Sequence, residues 1–274
     1  ADTNYTAQTL SGDVSIGQAT QSTVTLTSES TVVYGSTLTL TASGGDGDGA
    51  YEFADINGNC DVTGNVLTPL AVGNCEIHVR KLSSTNYLTS AWSTNVTVTM
   101  TPKPLTVTVS PVTRQYDGLL NIALATTTAA SLNGVEANDV LTVDHSQLSA
   151  TVATAAVGSN KAVTVVVGSS YLSGAALANY QLPTVAGSPV VEITRANQNS
   201  LSFTSAVSTT YGIDVSLSVS GGTGSGSVSY AVDSGPCTVS GTTLTPTASG
   251  TCAVTATKAQ DSTYLAETVT YNVV

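Results

Sequence analysis

The sequence predicts an all-β protein of tandem antiparallel β-sandwich modules arranged as an elongated rod. Three observations lead to this prediction: abundant β-branched and small residues, a period-two alternation of apolar and polar residues, and a long internal repeat. Val24–Thr27 and Leu38–Thr41 show the alternation that is typical of half-buried strands. The 274 residues exceed one ordinary sandwich of about 100 residues and fit two or three.

One module is present twice, and the second copy follows at a shift of 177 positions without a gap. Tyr34 of the first copy corresponds to Tyr211 of the second. The copies are predicted to occupy residues 18–101 and 195–274 as separately folding sandwiches. Further matched positions are Gln21 with Gln198, Cys60 with Cys237, Leu67 with Leu244, Cys75 with Cys252, Lys81 with Lys258, and Tyr87 with Tyr264.

Residues 1–17 resemble the end of such a module. We therefore predict that they are the trailing strand of a preceding module and that the parent protein continues upstream. A lone strand must pair with something or stay loose, so we expect it to extend away from the first module or lie along it. The matched positions are Tyr5 with Tyr87, Val14 with Val96, and Ile16 with Val98.

A different module is predicted at residues 102–194, between the two copies. It contains Tyr116-Asp117-Gly118 and closes with Asn179-Tyr180, as the other modules close with a tyrosine. In the turn, Asp117 is expected to act as a cap, and Gly118 is expected to supply a positive φ. The middle module therefore shares the closing segment of its neighbours but has a sequence of its own.

The segments that join the modules are very short. Thr101–Pro104 joins the first two modules, and Thr194–Asn197 joins the last two. Because proline restricts φ and lacks an N–H donor, the first joint is expected to be stiff and extended. Three sandwiches of about 40 Å would then span on the order of 120 Å.

The four cysteines are predicted to form two disulfide bonds, Cys60–Cys75 and Cys237–Cys252, one in each copy. Each bond would close a short loop and stabilise its module by roughly 3 kcal/mol in the chain-entropy model. Disulfides imply an oxidising compartment. A zinc site is the alternative, but its four ligands would come from two distant modules, and no Cys-x-x-Cys is present.

The acidic composition argues against nucleic acid as a partner. Seven Lys plus Arg and a net charge of −11 leave no basic cluster for phosphate groups. No run reaches the ~18 apolar residues of a membrane span, so membrane insertion is not expected. Divalent cations are the partners that an acidic surface would attract.

Calcium is the one cofactor for which the sequence offers ligands. Asp46 and Asp48, in the glycine-rich segment 45–49, are the candidate calcium ligands. The sister segment 222–226 has no carboxylate, so a solvated turn is the competing interpretation. No fixed acidic cluster is expected at either joint. A second acidic stretch, also expected to face solvent, contains Glu136, Asp139 and Asp144.

No catalytic residue is predicted, and the protein is not expected to be an enzyme. His78 and His145 have no neighbouring serine or cysteine motif of a hydrolase, and His78 corresponds to Thr255 in the second copy. The glycine-rich segment lacks the lysine and the strand-to-helix context of a phosphate-binding loop. Surface or strand positions are therefore expected for both histidines.

Recurring tyrosines are a candidate platform for glycans. Recurrence at one repeat position instead favours packing, with each hydroxyl bonded to the backbone. Trp92 aligns with Val269 and is expected to lie in the core. A Lys–Asn amide cross-link at Lys81 or Lys258 is disfavoured because lysine is rare. The recurring tyrosines are Tyr5, Tyr34, Tyr87, Tyr180, Tyr211 and Tyr264.

These motifs together resemble two kinds of bacterial surface-protein repeat. The middle module resembles the YDG-type repeat in Tyr116-Asp117-Gly118, Leu132-Asn133-Gly134-Val135, Lys161–Val165, Leu172-Ser173-Gly174 and Asn179-Tyr180. The flanking modules are similar to bacterial immunoglobulin-like repeats in their Tyr-Gly, Ser-Gly-Gly and paired-cysteine marks. The resemblance covers nearly the whole chain. It implies immunoglobulin-like β-sandwiches of a large cell-surface or secreted adhesin-like protein, and it implies no ligand.

The expected function is a non-catalytic stalk or spacer segment that projects an adhesive region from a bacterial cell. The alternative is direct binding of a glycan or protein ligand by one module, most readily the middle one, which departs from the repeat. A third reading is a non-catalytic module array of a secreted polysaccharide enzyme. The expected partners are neighbouring modules of the same chain, and the chain is expected to be an extracellular monomer.

Overall fold

The computed structural model describes residues 7–124 and 130–274, and this part of the chain is all-β. Its helical turns are two short 3₁₀ helices, His145–Gln147 and Leu177–Asn179. Residues 7–17 are exposed and form no strand with any other described residue. Tyr5 and the rest of residues 1–6, which belong to the predicted trailing strand, lie outside the described residues.

The first module is a sandwich of short strands. Its strands are β1 (Val24–Leu26), β2 (Thr31–Val33), β3 (Leu38–Thr39), β4 (Ala42–Gly44), β5 (Tyr51–Asp55), β6 (Cys60–Thr63), β7 (Val66–Pro69), β8 (Gly73–Lys81) and β9 (Val96–Thr101). One sheet has the order β2-β9-β8-β5, the other has the order β3-β7-β6, and β1 pairs with β4. Pairing is antiparallel except between β2 and β9. Alternate residues of both sheets, among them Leu67, Ile77 and Val98, are fully buried in one core.

The middle module has two larger sheets, each with one parallel pair, and a two-stranded sheet of β13 and β16. Within the described residues its strands are β10 (Thr106–Val109), β11 (Val112–Gln115), β12 (Ala130–Asn133), β13 (Thr142–Val143), β14 (Leu148–Val152), β15 (Gly158–Val167), β16 (Leu172–Ser173), β17 (Thr184–Ala186) and β18 (Val190–Thr194). The larger sheet has the order β11-β18-β15-β14, and the smaller has the order β12-β10-β17. The parallel pairs are β10 with β17 and β11 with β18.

The third module repeats the plan of the first. Its strands are β19 (Leu201–Phe203), β20 (Val215–Ser216), β21 (Val219–Gly221), β22 (Val228–Ser234), β23 (Cys237–Ser240), β24 (Thr243–Pro246), β25 (Cys252–Lys258) and β26 (Glu267–Val273). The sheets are β22-β25-β26 and β20-β24-β23, and β19 pairs with β21. Each of these matches a sheet or pair of the first module.

The prediction of a gap-free repeat is wrong in the closing strand. Cys75 pairs with Val98 in the first module, whereas Cys252 pairs with Val273 in the third, so the first module carries two extra residues before that pairing. The extra residues lie in a segment where the hydroxyls of Ser90 and Ser93 accept N–H groups of β8, at 2.9 and 3.1 Å. Because Trp92 lies in this irregular segment, it does not share a position with Val269.

The buried residues form three apolar clusters. They draw on residues 24–100, 122–193 and 215–273, so no cluster mixes the first and third modules. By contact density the chain divides into two compact units. The first comprises Ala1–Leu105, Gly134–Thr142 and Leu172–Leu182, and the second comprises Thr106–Asn133, Val143–Tyr171 and Pro183–Val274. The predicted module boundaries are not tested by this division and stay predictions.

Candidate functional site at the module joints

The same backbone contact closes all three modules. Near the start of each module, one residue forms a parallel bridge with the closing tyrosine. Its N–H donates to the residue before the tyrosine, and its carbonyl accepts from the residue after it, at 2.8 to 3.0 Å. The bridges therefore connect the two ends of each module's sequence and bring the closing tyrosine to the joint. They are Ala19 with Tyr87, Lys103 with Tyr180, and Ala196 with Tyr264.

In the first two modules a second contact connects the closing strand to an earlier tyrosine of the same module. The Tyr34 N–H donates to the Thr101 carbonyl at 2.9 Å, and the Tyr116 N–H donates to the Thr194 carbonyl at 2.9 Å. Two residues after each threonine come Lys103 and Ala196, the bridge residues described above. The chain thus leaves one module and starts the next with no free linker.

The two joints bring tyrosine rings together in the same way. The Tyr34 and Tyr180 rings meet edge to face with centroids 5.7 Å apart, and the Tyr116 and Tyr264 rings do so at 5.9 Å. Each pair combines the earlier tyrosine of one module with the closing tyrosine of the next. Such pairs contribute about 0.5–1.5 kcal/mol beyond the burial of their area.

Polar groups surround the tyrosine pair of the first joint. The hydroxyls of Tyr34 and Tyr180 both donate to Asp139 Oδ2, at 3.0 and 2.5 Å. The Tyr180 hydroxyl also accepts the Glu136 N–H at 2.9 Å, and the Glu136 carboxylate forms an ion pair with Lys103. The expectation that Glu136 and Asp139 face solvent is therefore wrong. Glu136 and Asp139 are half-buried, because the tyrosines and Lys103 cover them.

The joint keeps both phenols neutral. Burial, followed by the bond to Asp139, raises the pKa of Tyr180 to about 12. Burial and the same carboxylate also raise the pKa of Tyr34. The predicted bond from the hydroxyl to the backbone is present at Tyr180, through the Glu136 N–H, whereas the Tyr34 hydroxyl bonds to the Asp139 side chain instead. Its position 105 residues after Tyr34 could not be read from sequence spacing.

Glycine allows the close approach at the first joint. Gly35 has φ +77°, and a Cβ atom built on it would overlap the Glu136 carboxylate. The equivalent Gly212 of the third module has φ +84°, but a Cβ atom there would meet nothing within 4 Å. At the first joint the Glu136 side chain therefore occupies the space next to Gly35.

The predicted calcium ligands lie in a loop that the module itself holds in place. Asp46 accepts the Ser22 N–H at 2.7 Å, and Asp48 is exposed. In the sister loop the Thr223 hydroxyl takes the role of Asp46 by accepting the Asn199 N–H at 3.0 Å. These contacts explain why the carboxylate can be absent from one copy. Calcium at Asp46 and Asp48 stays a prediction.

A glutamine anchors each glycine-rich loop. Gln21 accepts the Gly47 N–H and donates to carbonyls near the closing tyrosine, including that of Leu88 at 2.8 Å. Gln198 makes the same contacts with Gly224 and Leu265, and it is buried. Sequence matching placed both glutamines at one repeat position without revealing this role.

Both disulfide bonds are present as predicted. Cys60 is bonded to Cys75 and Cys237 to Cys252, with Cα atoms 5.8 and 6.0 Å apart. Among the described residues, one group of three potential metal-ligating side chains lies together, and it consists of this first cysteine pair and Asp55. Because the two sulfurs are bonded to each other, they do not offer the thiolates that zinc requires.

The remaining candidate residues have local partners. Asp117 accepts the Leu119 N–H at 2.9 Å beside Gly118, whose φ is +77°, as predicted for this turn. Asp144 is exposed and accepts the Ser146 N–H at the start of a 3₁₀ helix. The His145 ring meets Tyr171 edge to face.

Trp92 is half-buried rather than in the core, and two side chains of β8 pack against its ring. The His78 ring stacks on it with centroids 3.8 Å apart and an interplanar angle of 7°. The Arg80 guanidinium lies 4.4 Å from the same ring, and its Nε donates to Glu52 at 2.6 Å. His78 and Arg80 are two residues apart and so belong to the same face of β8, which explains why both contact the ring.

The two recurring lysines hold the glycine-rich loops. Lys81 donates to the Gly45 carbonyl at 3.5 Å, and Lys258 donates to the Gly222 carbonyl at 3.3 Å.

No helix among residues 7–124 and 130–274 is long and apolar enough to cross a membrane.

Comparison with known proteins identifies one part of the chain. No curated protein matches the sequence. The crystal structure of Drosophila N-cadherin EC1-4 is similar at 10% identity and a TM-score of 0.30, over 93% of this chain and 72% of that one. Drosophila N-cadherin EC1-3 is similar at 8% identity and a TM-score of 0.22, over 94% and 67%. The family model described as the YDG domain matches residues 101–187, so the middle of the chain contains a YDG domain.

Proposed function

We propose that the chain is a non-catalytic spacer segment of a bacterial cell-surface adhesin. The observation that carries the proposal is the repeated joint, in which the closing strand of one module leads directly into the bridge residue of the next. A spacer needs joints that hold their geometry, and both joints combine a backbone bridge, a bonded strand end and a tyrosine pair.

The surrounding chemistry supports an extracellular location. Two disulfide bonds persist in an oxidising environment and stabilise small sandwiches whose cores are poor in aromatic residues. The net charge of −11 and the small number of Lys and Arg residues argue against nucleic-acid binding. The YDG domain and the immunoglobulin-like repeat pattern support a surface protein with many modules.

Small-angle X-ray scattering of the wild-type chain tests the proposal. At dilute concentration we expect a maximum dimension on the order of 120 Å, from three sandwiches in line, and a profile without flexible-chain character. Asp139→Ala removes the acceptor that both phenols share, so this variant should gain flexibility. Asp61→Ala is the matched control, because Asp61 is exposed and bonds only to Thr63 within the described residues.

Two outcomes would contradict the spacer role. One is a wild-type profile that is compact and nearly spherical. The other is a wild-type profile already as flexible as that of Asp139→Ala, which would mean that the tyrosine contacts do not hold the joint.

A further inference from the structure

One carboxylate lies beside both sulfurs of the first disulfide. Asp55 Oδ1 is 3.5 Å from Cys60 Sγ and 3.6 Å from Cys75 Sγ. Both cysteines are buried, whereas Asp55 is half-buried at the end of β5, where the exposed turn 56–59 begins. The three side chains therefore meet where a solvent-exposed turn joins the core of the first module.

The spacing of these atoms fits a tetrahedral zinc site. Zinc bonds of about 2.3 Å to sulfur and about 2.1 Å to a carboxylate oxygen place the two ligand atoms about 3.6 Å apart. Both observed distances from Oδ1 to a sulfur agree with that value. The two sulfurs would have to lie about 3.8 Å apart, which requires that the bond between them is broken. The Cα atoms of the cysteines are 5.8 Å apart, so rotation of the side chains can supply this separation.

The turn that follows β5 already holds the carboxylate in place. The Gly58 N–H donates to Asp55 Oδ2 at 2.6 Å, and the Asn57 N–H donates to Oδ1 at 3.2 Å. Hydrogen bonds of this kind orient the ligands of metal sites. Within the described part of the chain no ion pair includes Asp55, so its charge is available to a cation.

The third module has the same disulfide without the carboxylate. Asp55 pairs with Ile77 in the first module, and Val232 pairs with Val254 at the equivalent position of the third. Among the described residues, Asp55 and its two cysteines are the one group of three potential metal ligands. The disulfide itself therefore does not need an acidic neighbour, and the third module provides an internal comparison.

We propose that reduction of the Cys60–Cys75 disulfide converts this group into a zinc-binding site. A phosphine reductant gives up two electrons and takes the oxygen of one water molecule, while the sulfurs take the electrons and the two hydrogens of that water. A dithiol achieves the same reduction by exchange and becomes a disulfide itself. The two thiols release their protons when zinc binds. Both thiolates and the Asp55 carboxylate then provide three ligands, and water provides the fourth.

The bound metal would close the same loop that the disulfide closes in the oxidised chain. Zinc should therefore stabilise the first module when it is reduced and leave the oxidised module unchanged. The third module should gain much less, because its two cysteines lack the third ligand. The inference concerns the reduced chain and does not depend on the spacer proposal.

Titration with zinc alone tests the site. The full chain is reduced with a phosphine under nitrogen, because a dithiol would itself chelate the metal, and affinity is measured by competition with a chromophoric chelator. We expect one tight site per chain after reduction and none before it. Asp55→Asn should weaken this site by at least about tenfold, since even changes outside the ligand shell of zinc sites cost that much. Asp61→Asn is the matched control and should bind like the wild type, because Asp61 is exposed and bonds only to Thr63 within the described residues.

Two paired substitutions locate the site in the first module. The chain with Cys237→Ser and Cys252→Ser should keep the tight site, and the chain with Cys60→Ser and Cys75→Ser should lose it. Unfolding in denaturant, followed by Trp92 fluorescence, monitors the fold of the same module in each variant. Zinc should move the midpoint of the reduced wild type toward that of the oxidised chain, and it should move the midpoint of reduced Asp55→Asn much less.

Three results would each overturn the inference. The first is equal zinc affinity before and after reduction, which would mean that the sulfurs are not ligands. The second is equal affinity in Asp55→Asn and the wild type, or equal losses in Asp55→Asn and Asp61→Asn. The third is loss of the tight site in the chain with Cys237→Ser and Cys252→Ser, which would place the metal in the third module.

Discussion

At the scale of single residues, Asp261 shows how one partly exposed carboxylate can organise a loop. It accepts the N–H groups of Ser225, Thr263 and Tyr264 at 2.6, 2.8 and 2.7 Å. The Ser225 bond is the main cause of the lowered pKa of Asp261, and the other two bonds add to it. The side chain thereby ties the glycine-rich loop of the third module to the segment of its closing tyrosine.

We predict that Asp261→Asn destabilises the third module at neutral pH and has little effect in acid. The folded-state pKa lies below the unfolded value of about 3.9, so the stabilisation is complete above that pH and is lost as the pH falls through the folded value. Thermal unfolding from about pH 6 to pH 2 should show the variant and the wild type converging.

Asp214→Asn is the matched control for this experiment. Asp214 is exposed in the same module and makes no side-chain hydrogen bond to any described residue. Its replacement should leave the melting temperature within error at every pH. A constant difference between Asp261→Asn and the wild type across the pH range would show that the carboxylate charge is not the stabilising feature.

At the scale of elements, the joint depends on how closely a turn of one module approaches the next. The turn at Gly35 has a left-handed backbone, which costs about 1 to 2 kcal/mol for other residues. The same turn occurs at Gly212, where no module packs against it within the described residues. Comparing substitutions at Gly35 and Gly212 therefore separates the cost of backbone strain from the cost of placing a methyl group in the joint.

We predict that Gly35→Ala destabilises more than Gly212→Ala. Both substitutions place a Cβ atom at positive φ, but only the first displaces the Glu136 carboxylate from Lys103. The difference should be about 1 kcal/mol in the free energy of unfolding, because one partly buried ion pair and its packing are disturbed. Equal effects in chemical denaturation would show that the joint is loose enough to absorb a methyl group.

At the scale of the whole molecule, the described residues contain three separate apolar core clusters. Two of them contain a disulfide, and the cluster of residues 122–193 contains no cysteine. The middle module is therefore an internal control for the effect of reduction. Trp92 is the only tryptophan, so its fluorescence reports on the first module alone.

We predict that reduction destabilises the first and third modules and leaves the middle one nearly unchanged. Each bridge joins cysteines 15 positions apart, which corresponds to about 3 kcal/mol in the chain-entropy model. Hydrogen exchange, followed peptide by peptide with and without dithiothreitol, measures the three modules separately. A matching loss of protection in residues 143–171 would mean that the modules do not fold independently.

The sequence alone determined the fold class, the two cysteine pairs and the recurrence of the tyrosines. These features are encoded locally: period-two alternation marks strands, and matched spacing marks repeats. The two extra residues near Trp92 were missed because a gap-free shift aligned Tyr87 with Tyr264 correctly and gave no sign of the change after them.

Only the tertiary structure decided what the recurring residues contact. Asp139 and Tyr34 lie 105 positions apart in the chain, yet they share a hydrogen bond, because the segment between β12 and β13 lies against the end of the first module. The burial of Met100 likewise depends on strand register. Contacts between distant segments are set by packing and register, and neither is written in the spacing of a single sequence.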